Sequence, residues 1–528
     1  MQQAPENRSR ISVVILALDE QLDLPASIEC VESFADEIVV GIVYFPQSTS
    51  AAPENEHRSI AKTLHIPWQH DIASARNACL ESATGDWLLW LDAGEILTAE
   101  TAEQIKNFID TGADPSHVYR LMLRTAEHDH QGQQSVLQIA QHRLLPNGKG
   151  LHFTGPVRES LEASIAACRL ESEQLNIAIM QTPDGRAAES RLKTARRNLR
   201  ICEQILTETT TEPSLWLARG EALADLGEWE TAEQAFNQAR QFAAEGSAEL
   251  LEAYYGALRA MDHDPNQKDE QLNLCMEALK KFPVDVQLLC TMGHYLHCQQ
   301  RIDLATRAYQ TAVRYGKVHP ASWHLAEIAA FATVCLGISL ELEDRSDEAR
   351  EMLEDALIEQ PTSFRIRHQL IDLHVRHGRR KEAVEQVGRL PDQWPHRDAF
   401  ANAVRGACLA ESQNWANAEA YLQTAFDAGC RDVICLRWLL LTHAALEHFG
   451  AAQETLEQWR AIDPENPEVQ KWTASLLTRK FSQTTQAVAT SPGTALPPHF
   501  SVSQDRKKAG MAEVKSGATT FDKTKEIS

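Results

Sequence analysis

Two carboxylates stand at the end of an apolar run in the stretch GDWLLWLDAGE, residues 85–95. The run predicts a buried β-strand that carries Asp92 into a turn, and Glu95 follows three residues later. Carboxylate oxygens are ligands that hold hard divalent cations such as Mn²⁺ or Mg²⁺. The stretch alone is therefore consistent with a metal site formed by Asp92 and Glu95, to which Gly94 adds no side-chain ligand. A solvated turn at a strand end is the alternative interpretation.

Several other polar residues have an ordinary structural explanation. Asp19 and Glu20 follow the apolar run ISVVILAL and could cap the helix that begins near Pro25. Arg76 and Asn77 lie in the helical stretch ASARNACLESA and could cap or solvate one helix face. A binding role for these residues depends on the fold that positions them.

Three charged residues flank these stretches. Asp71 lies with His70 in the loop before the helix that contains Arg76, where a surface position is the default. Arg158 and Glu159 follow the stretch LHFTGPV, and Arg158 alone would be an ordinary surface arginine.

Strand and helix patterns alternate between residue 11 and about residue 160. Apolar runs such as ISVVILAL, EIVVGIVYF and DWLLWLDA are separated by helical stretches such as LPASIECVESF. Strands that are apolar throughout predict a mostly parallel sheet with helices on both faces. Ligands bind at the carboxyl ends of such strands, so the loops after Leu18, Val40 and Leu91 should border one crevice.

A helical repeat replaces this alternation from about residue 190. Its first clear unit is SLWLARGEALADLGEWETAEQAFNQA, and a small residue recurs in later units. Ala349, Ala383, Ala418 and Ala452 are separated by 34, 35 and 34 residues. The pattern resembles the tetratricopeptide repeat, which implies an all-α solenoid of about seven helix pairs between residues 213 and 465.

Composition limits the partners and the location. The 528 residues include 51 Lys and Arg against 74 Asp and Glu, a net charge of −23. This balance argues against nucleic acid or an anionic membrane as the main partner. The eleven cysteines show no CxxC pattern and are interpreted as reduced core residues. The N-terminal apolar run is too short for a membrane span, so we predict a cytoplasmic protein.

These patterns divide the chain into three parts. We predict an α/β domain over residues 1–180, the repeat array over residues 181–475, and a disordered tail over residues 476–528. The tail is rich in Ser, Thr, Gly and Pro and has little to bury.

The first part resembles the family 2 glycosyltransferases of the GT-A fold, in particular bacterial members fused to tetratricopeptide repeats. Three stretches carry the resemblance in the same order along the chain: ISVVILALDE, ARNACLESATGDWLLWLDAGE and RLLPNGKGLHFTGPVRES. The resemblance implies a nucleotide-sugar donor and a divalent cation that neutralises the diphosphate leaving group. It also implies a carboxylate that deprotonates the acceptor hydroxyl, with a protein or peptide held by the repeats.

The resemblance assigns roles to the residues that match the family motifs. Asp92 and Glu95 would hold the cation, and Glu159 or Asp71 would be the catalytic carboxylate. The donor-binding residues would be Asp19, Glu20, Arg76, Asn77, Asp92 and Arg158. As a fixed positive charge, Arg158 could replace the cation beside the diphosphate.

Three positions depart from the family pattern. Gly94 replaces the second carboxylate of the metal motif, Gly41 or Ile42 replaces the acid that holds the nucleobase, and Arg158 replaces a histidine. Three hypotheses follow: an active inverting glycosyltransferase, an inactive transferase fold that serves a tetratricopeptide scaffold, and a nucleotide-sugar sensor without turnover. Sugar transfer is the leading prediction and the scaffold is the alternative.

Overall fold

The structure is a computed structural model that describes residues 9–18, 24–44, 61–128, 134–182, 188–206, 210–264, 266–391, 394, 396–464 and 466–478. Asp19 and Glu20 lie outside these residues, as does the predicted tail beyond residue 478. None of the described helices is long and apolar enough to cross a lipid bilayer.

The N-terminal domain is built on a mixed sheet. Within the described residues its strands are β1 (Ile11–Leu18), β2 (Glu37–Tyr44), β3 (Ala61–Pro67), β4 (Trp87–Asp92), β5 (Glu95–Ile96), β6 (His117–His128), β7 (Gln134–Pro146), β8 (Glu171–Gln181) and β9 (His324–Leu325). The order is β3-β2-β1-β4-β7-β6-β8-β5, and β9 pairs with β7. The strands from β3 to β4 are parallel, and β7 is antiparallel to its neighbours β4, β6 and β9.

Helices cover both faces of this sheet, as the apolar strands predicted. Residues alternate along β1, so that Val13 and Ile15 pack on one face while Val14 and Leu16 pack on the other. The helices of this region are α1 (Leu24–Glu29), α2 (Ile72–Ser82), α3 (Ala99–Thr111), α4 (Glu162–Ala167) and α5 (Ala188–Ile205). Helices α1 and α3 pack on the first face, and α2, α4 and α5 pack on the second.

The rest of the described chain consists mainly of helix pairs. The helices are α6 (Pro213–Leu226), α7 (Trp229–Phe242), α8 (Ala248–Met261), α9 (Lys268–Lys281), α10 (Val286–Cys298), α11 (Ile302–Tyr315), α12 (Ile328–Leu342), α13 (Ser346–Glu359), α14 (Phe364–Arg376), α15 (Arg380–Gly388), α16 (Arg397–Glu411), α17 (Trp415–Asp427), α18 (Val433–Ala445), α19 (Phe449–Ile462) and α20 (Pro467–Thr478). Helices α6 to α19 form seven successive pairs in the described residues, which agrees with the repeat period.

Small residues let the two helices of a pair approach closely. The recurring alanines of the second helices are completely buried: Ala232, Ala305, Ala349, Ala383, Ala418 and Ala452. Their glycine counterparts lie in the first helices. A Cβ atom on Gly220 would lie 2.7 Å from the Phe236 ring, and one on Gly293 would lie 2.5 Å from the Tyr309 ring. Larger residues at these two glycines would therefore separate the helices.

The repeats and the N-terminal sheet form one continuous structure. Strand β9 follows α11 and pairs antiparallel with β7, where Leu137 lies opposite Leu325. The backbone N–H of Ala140 donates to Pro320, and that of Ala326 donates to Val136. This shared edge gives the sheet and the repeats a fixed relative position.

Candidate functional site

A tight turn brings Glu95 back to Asp92. Gly94 has a φ of 92°, a conformation that side chains other than glycine strongly disfavour. The backbone N–H of Asp92 donates to Glu95 Oε2 at 2.8 Å. Glu95 begins the short strand β5, where it is 1% exposed. The glycine at position 94 therefore belongs to the turn that buries Glu95.

Asp92 is held by arginine side chains from two elements. Arg76 of α2 donates to Asp92 Oδ1 at 2.8 Å and to Oδ2 at 3.3 Å. Arg143 of β7 donates to Oδ2 at 3.3 Å, and the Trp90 indole donates to Oδ1 at 3.1 Å. The Asp92 side chain is still 35% exposed.

Glu95 has its own contact with the same arginine. Arg143 donates to Glu95 Oε1 at 2.6 Å and to the Gln141 side chain at 2.8 Å. Arg143 is 3% exposed, so this ion pair is shielded from solvent. Arg143 thus lies between the two carboxylates that the sequence predicted as metal ligands.

Glu159 joins the same group through Arg76. The Nε of Arg76 donates to Glu159 Oε1 at 2.5 Å, and the guanidinium lies 4.6 Å from the centre of the Trp90 ring. Asn77 exchanges two hydrogen bonds with the backbone of Phe153, at 2.9 and 2.7 Å. We call Arg76, Asp92, Glu95, Arg143 and Glu159 the Asp92 cluster.

The cluster sets the charge states of its two turn carboxylates. Burial disfavours the charged form of Asp92, but the guanidinium groups of Arg76 and Arg143 outweigh it and lower the pKa of Asp92. Burial raises the pKa of Glu95 to about 7. The Arg143 guanidinium opposes this rise, and the negative charge of Asp92 adds to it. Asp92 is therefore the permanent anion of the turn, and Glu95 is readily protonated.

These residues do not fit a divalent cation. All four carboxylate oxygens of Asp92 and Glu95 already accept a hydrogen bond from within the chain, and Arg143 donates to one oxygen of each residue. A divalent cation here would lie beside two guanidinium groups, whose charge repels it. In the described part of the chain, no group of three or more His, Cys, Asp or Glu side chains is arranged to hold a metal ion. The donor set thus favours arginine as the counter-ion of both carboxylates.

The structure places Asp71 and Arg158 outside this cluster's contacts. Asp71 is the N-cap of α2 and accepts from the backbone N–H of Ser74 at 3.3 Å. The Arg158 guanidinium donates to Glu221 of α6 and Glu252 of α8. Arg158 therefore serves as an ion-pair link between the N-terminal domain and the repeats.

The second strand also differs from the sequence prediction. Strand β2 does not end at Val40 but continues to Tyr44, so Gly41 lies inside the strand and pairs with Leu16 and Leu64. A Cβ atom on Gly41 would lie 2.3 Å from Cys79 Sγ. Position 41 therefore has no room for an acidic side chain, and the residues after Tyr44, 45–60, lie outside the described part.

Arg143 is the cluster member that sequence reasoning missed. It is the first residue of RLLPNGKGLHFTGPVRES, a stretch that contributes to the family resemblance but assigns no role to this arginine. An arginine in an apolar strand was the available signal, since a buried arginine requires an anionic partner. The partner could not be read from the sequence because Asp92 is 51 residues away.

Comparison with known proteins identifies the N-terminal domain. Residues 12–153 match the family described as Glycosyl transferase family 2. This region is a family 2 glycosyltransferase domain. The match spans Arg76, Asp92, Glu95 and Arg143, so four of the five cluster residues lie within the part that the family defines.

The part that follows the glycosyltransferase domain is a tetratricopeptide array. A TPR repeat-containing protein of Synechococcus elongatus is 25% identical over 315 residues, which are 58% of this chain and 75% of that protein. The structural match to yeast Tom70 covers 57% of this chain and 60% of the Tom70 chain, at 15% identity and with a TM-score of 0.38. The structural match to a tetratricopeptide repeat protein of Parabacteroides merdae covers 49% of this chain and 94% of that protein, at 13% identity and with a TM-score of 0.34. These two overlaps are too weak to support a functional comparison.

Proposed function

We propose that the protein is a tetratricopeptide scaffold for a protein or peptide partner, and that its glycosyltransferase domain no longer transfers sugar. The observation that carries this proposal is the position of Arg143. Its guanidinium binds both Asp92 and Glu95 and leaves no open carboxylate pair for a cation that would neutralise a diphosphate.

The contacts of Glu159 also support loss of transfer. Glu159, a candidate general base, is 10% exposed and accepts from Arg76, so an acceptor hydroxyl would have to compete with a guanidinium for it. In this interpretation the domain supports the repeats through β9 and through Arg158, and the repeats bind the partner.

Sugar transfer remains the second candidate because Asp92 is accessible. Its side chain is 35% exposed, so a donor could reach the carboxylate while Arg76 and Arg143 hold it in place. The protein would then transfer a sugar, with inversion, from a nucleotide-sugar to an acceptor held by the repeats. Glu159 or Asp71 would act as the base, and Arg76, Asn77 and Arg158 would belong to the donor side.

Calorimetric titration of the full chain separates the two candidates. UDP, GDP and several nucleotide-sugars are titrated with and without Mn²⁺ or Mg²⁺, and Asp92→Ala is the matched variant. The scaffold proposal predicts no binding by either protein, with circular dichroism showing that both are folded. Micromolar binding that disappears in Asp92→Ala would overturn it. Binding of a nucleotide-sugar that keeps its sugar, without transfer or hydrolysis, would instead identify a sensor.

A further inference from the structure

A separate pocket lies where the glycosyltransferase domain meets the repeats. It has a volume of about 160 Å³ and is bordered by α6, α8 and α10, the first helices of three successive pairs. Leu137 of β7 and Trp323, just before β9, also line it, so both parts of the chain form its walls. Glu221 is a further lining residue, and its side chain is 45% exposed, so the pocket is open to solvent on that side.

Most of the surface that lines this pocket is apolar. Three aromatic rings contribute to it, those of Phe236, Tyr255 and Trp323, together with the aliphatic side chains of Leu137 and Leu258. Aromatic rings attract one another in edge-to-face and offset arrangements, beyond the gain from burying their area. The walls therefore favour a ligand that presents a ring.

Hydrogen bonds within the chain hold two of these walls in place. The Tyr255 hydroxyl donates to Asp285 at 2.7 Å, which fixes the Tyr255 ring. The Gln287 side chain donates to the backbone oxygen of Trp323 at 3.0 Å, which ties Trp323 to α10. Walls that are already positioned cost a ligand less ordering when it binds.

The carboxylates of the pocket already have partners. Glu252 accepts from Arg158, and Asp262 accepts from Gln271 and Tyr295 at 3.0 Å each. Burial raises the pKa of both carboxyl groups to about 7, so neither is fully charged near neutral pH. A charged ligand would have to displace one of these partners, whereas a neutral one would leave them in place.

We propose that this pocket binds a neutral aromatic ring of about the size of a phenyl group, which packs against Trp323 and Tyr255. The volume suits such a ring, because a cavity of about 150 Å³ accommodates benzene in another protein. A charged group would lose its hydration here without gaining a free partner. The pocket shares no residue with the Asp92 cluster, so this inference holds whether or not sugar is transferred.

The ring has two chemical sources. It belongs either to a free small aromatic molecule or to a phenylalanine side chain of a peptide that lies along the first helices of the repeats. The phenylalanine source rests on the proposed scaffold role, whereas the free molecule does not. Both present the same ring to the same walls.

Titration of the full chain with matched ligands tests the pocket. We expect toluene to bind at a single site and at least about tenfold more tightly than benzoate, which has the same ring but carries a negative charge. The second pair of ligands is the blocked peptides Gly-Gly-Phe-Gly-Gly and Gly-Gly-Ala-Gly-Gly. Binding of the phenylalanine peptide but not of the alanine peptide identifies a phenylalanine source. Binding of toluene without either peptide identifies a free aromatic molecule.

Two variants locate the binding site. Trp323→Ala removes one aromatic wall and should weaken toluene binding roughly fivefold. Thr291→Leu adds side-chain volume at a lining residue that is 5% exposed, and should weaken toluene binding at least about threefold. Trp415→Ala is the control, because this half-buried tryptophan packs against a separate hydrophobic core in the C-terminal repeats. The control should bind toluene as the wild type does.

Several outcomes would overturn the proposal. Equal binding of toluene and benzoate would show that the pocket does not select a neutral ring. Absence of binding by both toluene and the phenylalanine peptide would exclude a ring site. Unchanged toluene binding by both pocket variants, with circular dichroism showing that they are folded, would place the ring elsewhere. Loss of the scaffold role alone would remove only the peptide result, so the two failures are distinguishable.

Discussion

Two groups of buried arginine–carboxylate pairs differ in how completely they are closed. In the repeats, Arg437 binds Asp372 and Glu468, and Arg376 binds Asp372 and Glu341. All five side chains are at most 7% exposed, and we call them the repeat network. The Asp92 cluster has the same chemistry, but its Asp92 is 35% exposed. The comparison teaches that arginines can satisfy carboxylates at the end of a sheet strand nearly as completely as those of a buried structural network, even where one carboxylate is still exposed.

The largest expected effect is in the repeat network. Arg437→Met leaves Asp372 and Glu468 buried with one arginine fewer, and should lower the free energy of unfolding by about 3–5 kcal/mol. Urea unfolding followed by circular dichroism measures this change. Arg389→Met is the control, because its pair with Glu385 is more than half exposed and should contribute little. A loss no larger than that of the control would mean that the network is not structural.

The equivalent change in the Asp92 cluster should cost less. Arg143→Met removes the partner of Glu95, but Asp92 keeps Arg76, and the raised pKa of Glu95 allows it to become neutral. We expect a loss of about 2–3 kcal/mol in the same unfolding measurement. If Arg143→Met instead left stability unchanged and gained Mn²⁺ binding, the cluster would be a latent metal site and the comparison would fail.

Acid should weaken the repeat network in a defined range. Burial opposes the charge of Asp372, yet Arg437 and Arg376 outweigh it and lower the pKa from 3.8 to about 2. A carboxylate with a lowered pKa stabilises the fold above its unfolded pKa, and this stability is lost as the pH falls towards the folded value. The full contribution is roughly 2.5 kcal/mol, and about half of it is lost by pH 3.

The measurement compares wild type and Asp372→Asn between pH 6 and pH 3. Their difference in unfolding free energy should shrink by roughly 1 kcal/mol as the pH falls. Asp347→Asn, at a side chain that is 77% exposed, is the control for the general effect of acid. If the difference in unfolding free energy stays constant with pH, the arginines do not lower the pKa of Asp372.

The sequence predicted what depends on local pattern and on repetition. The apolar run before Asp92 predicted the strand and its turn, and the spacing of the small residues predicted the helix pairs. Arg143 and β9 could not be predicted in this way. Arg143 reaches Asp92 through the register of β7 against β4, and β9 is two residues long and pairs across 188 residues from Leu137 to Leu325. Such contacts follow from tertiary packing: the local sequence shows an arginine in an apolar strand, but it does not show which distant residue is its partner.

The smallest expected effect is on nucleotide binding, where a substitution at position 94 should produce no gain, and it tests whether this position alone decides the chemistry. Gly94→Asp restores the carboxylate of the family motif, but at a φ of 92° it should cost about 1–2 kcal/mol. Gly246→Asp is the matched control, because Gly246 has a φ of 76° with nothing within 4 Å of an added Cβ. Because Arg76 and Arg143 still hold Asp92, we expect neither variant to gain Mn²⁺-dependent binding of UDP in calorimetry. Binding in Gly94→Asp alone would show that the arginines yield to a cation once a second carboxylate is present. The Asp92 cluster would then differ from the repeat network in kind, as a donor site one substitution away from use.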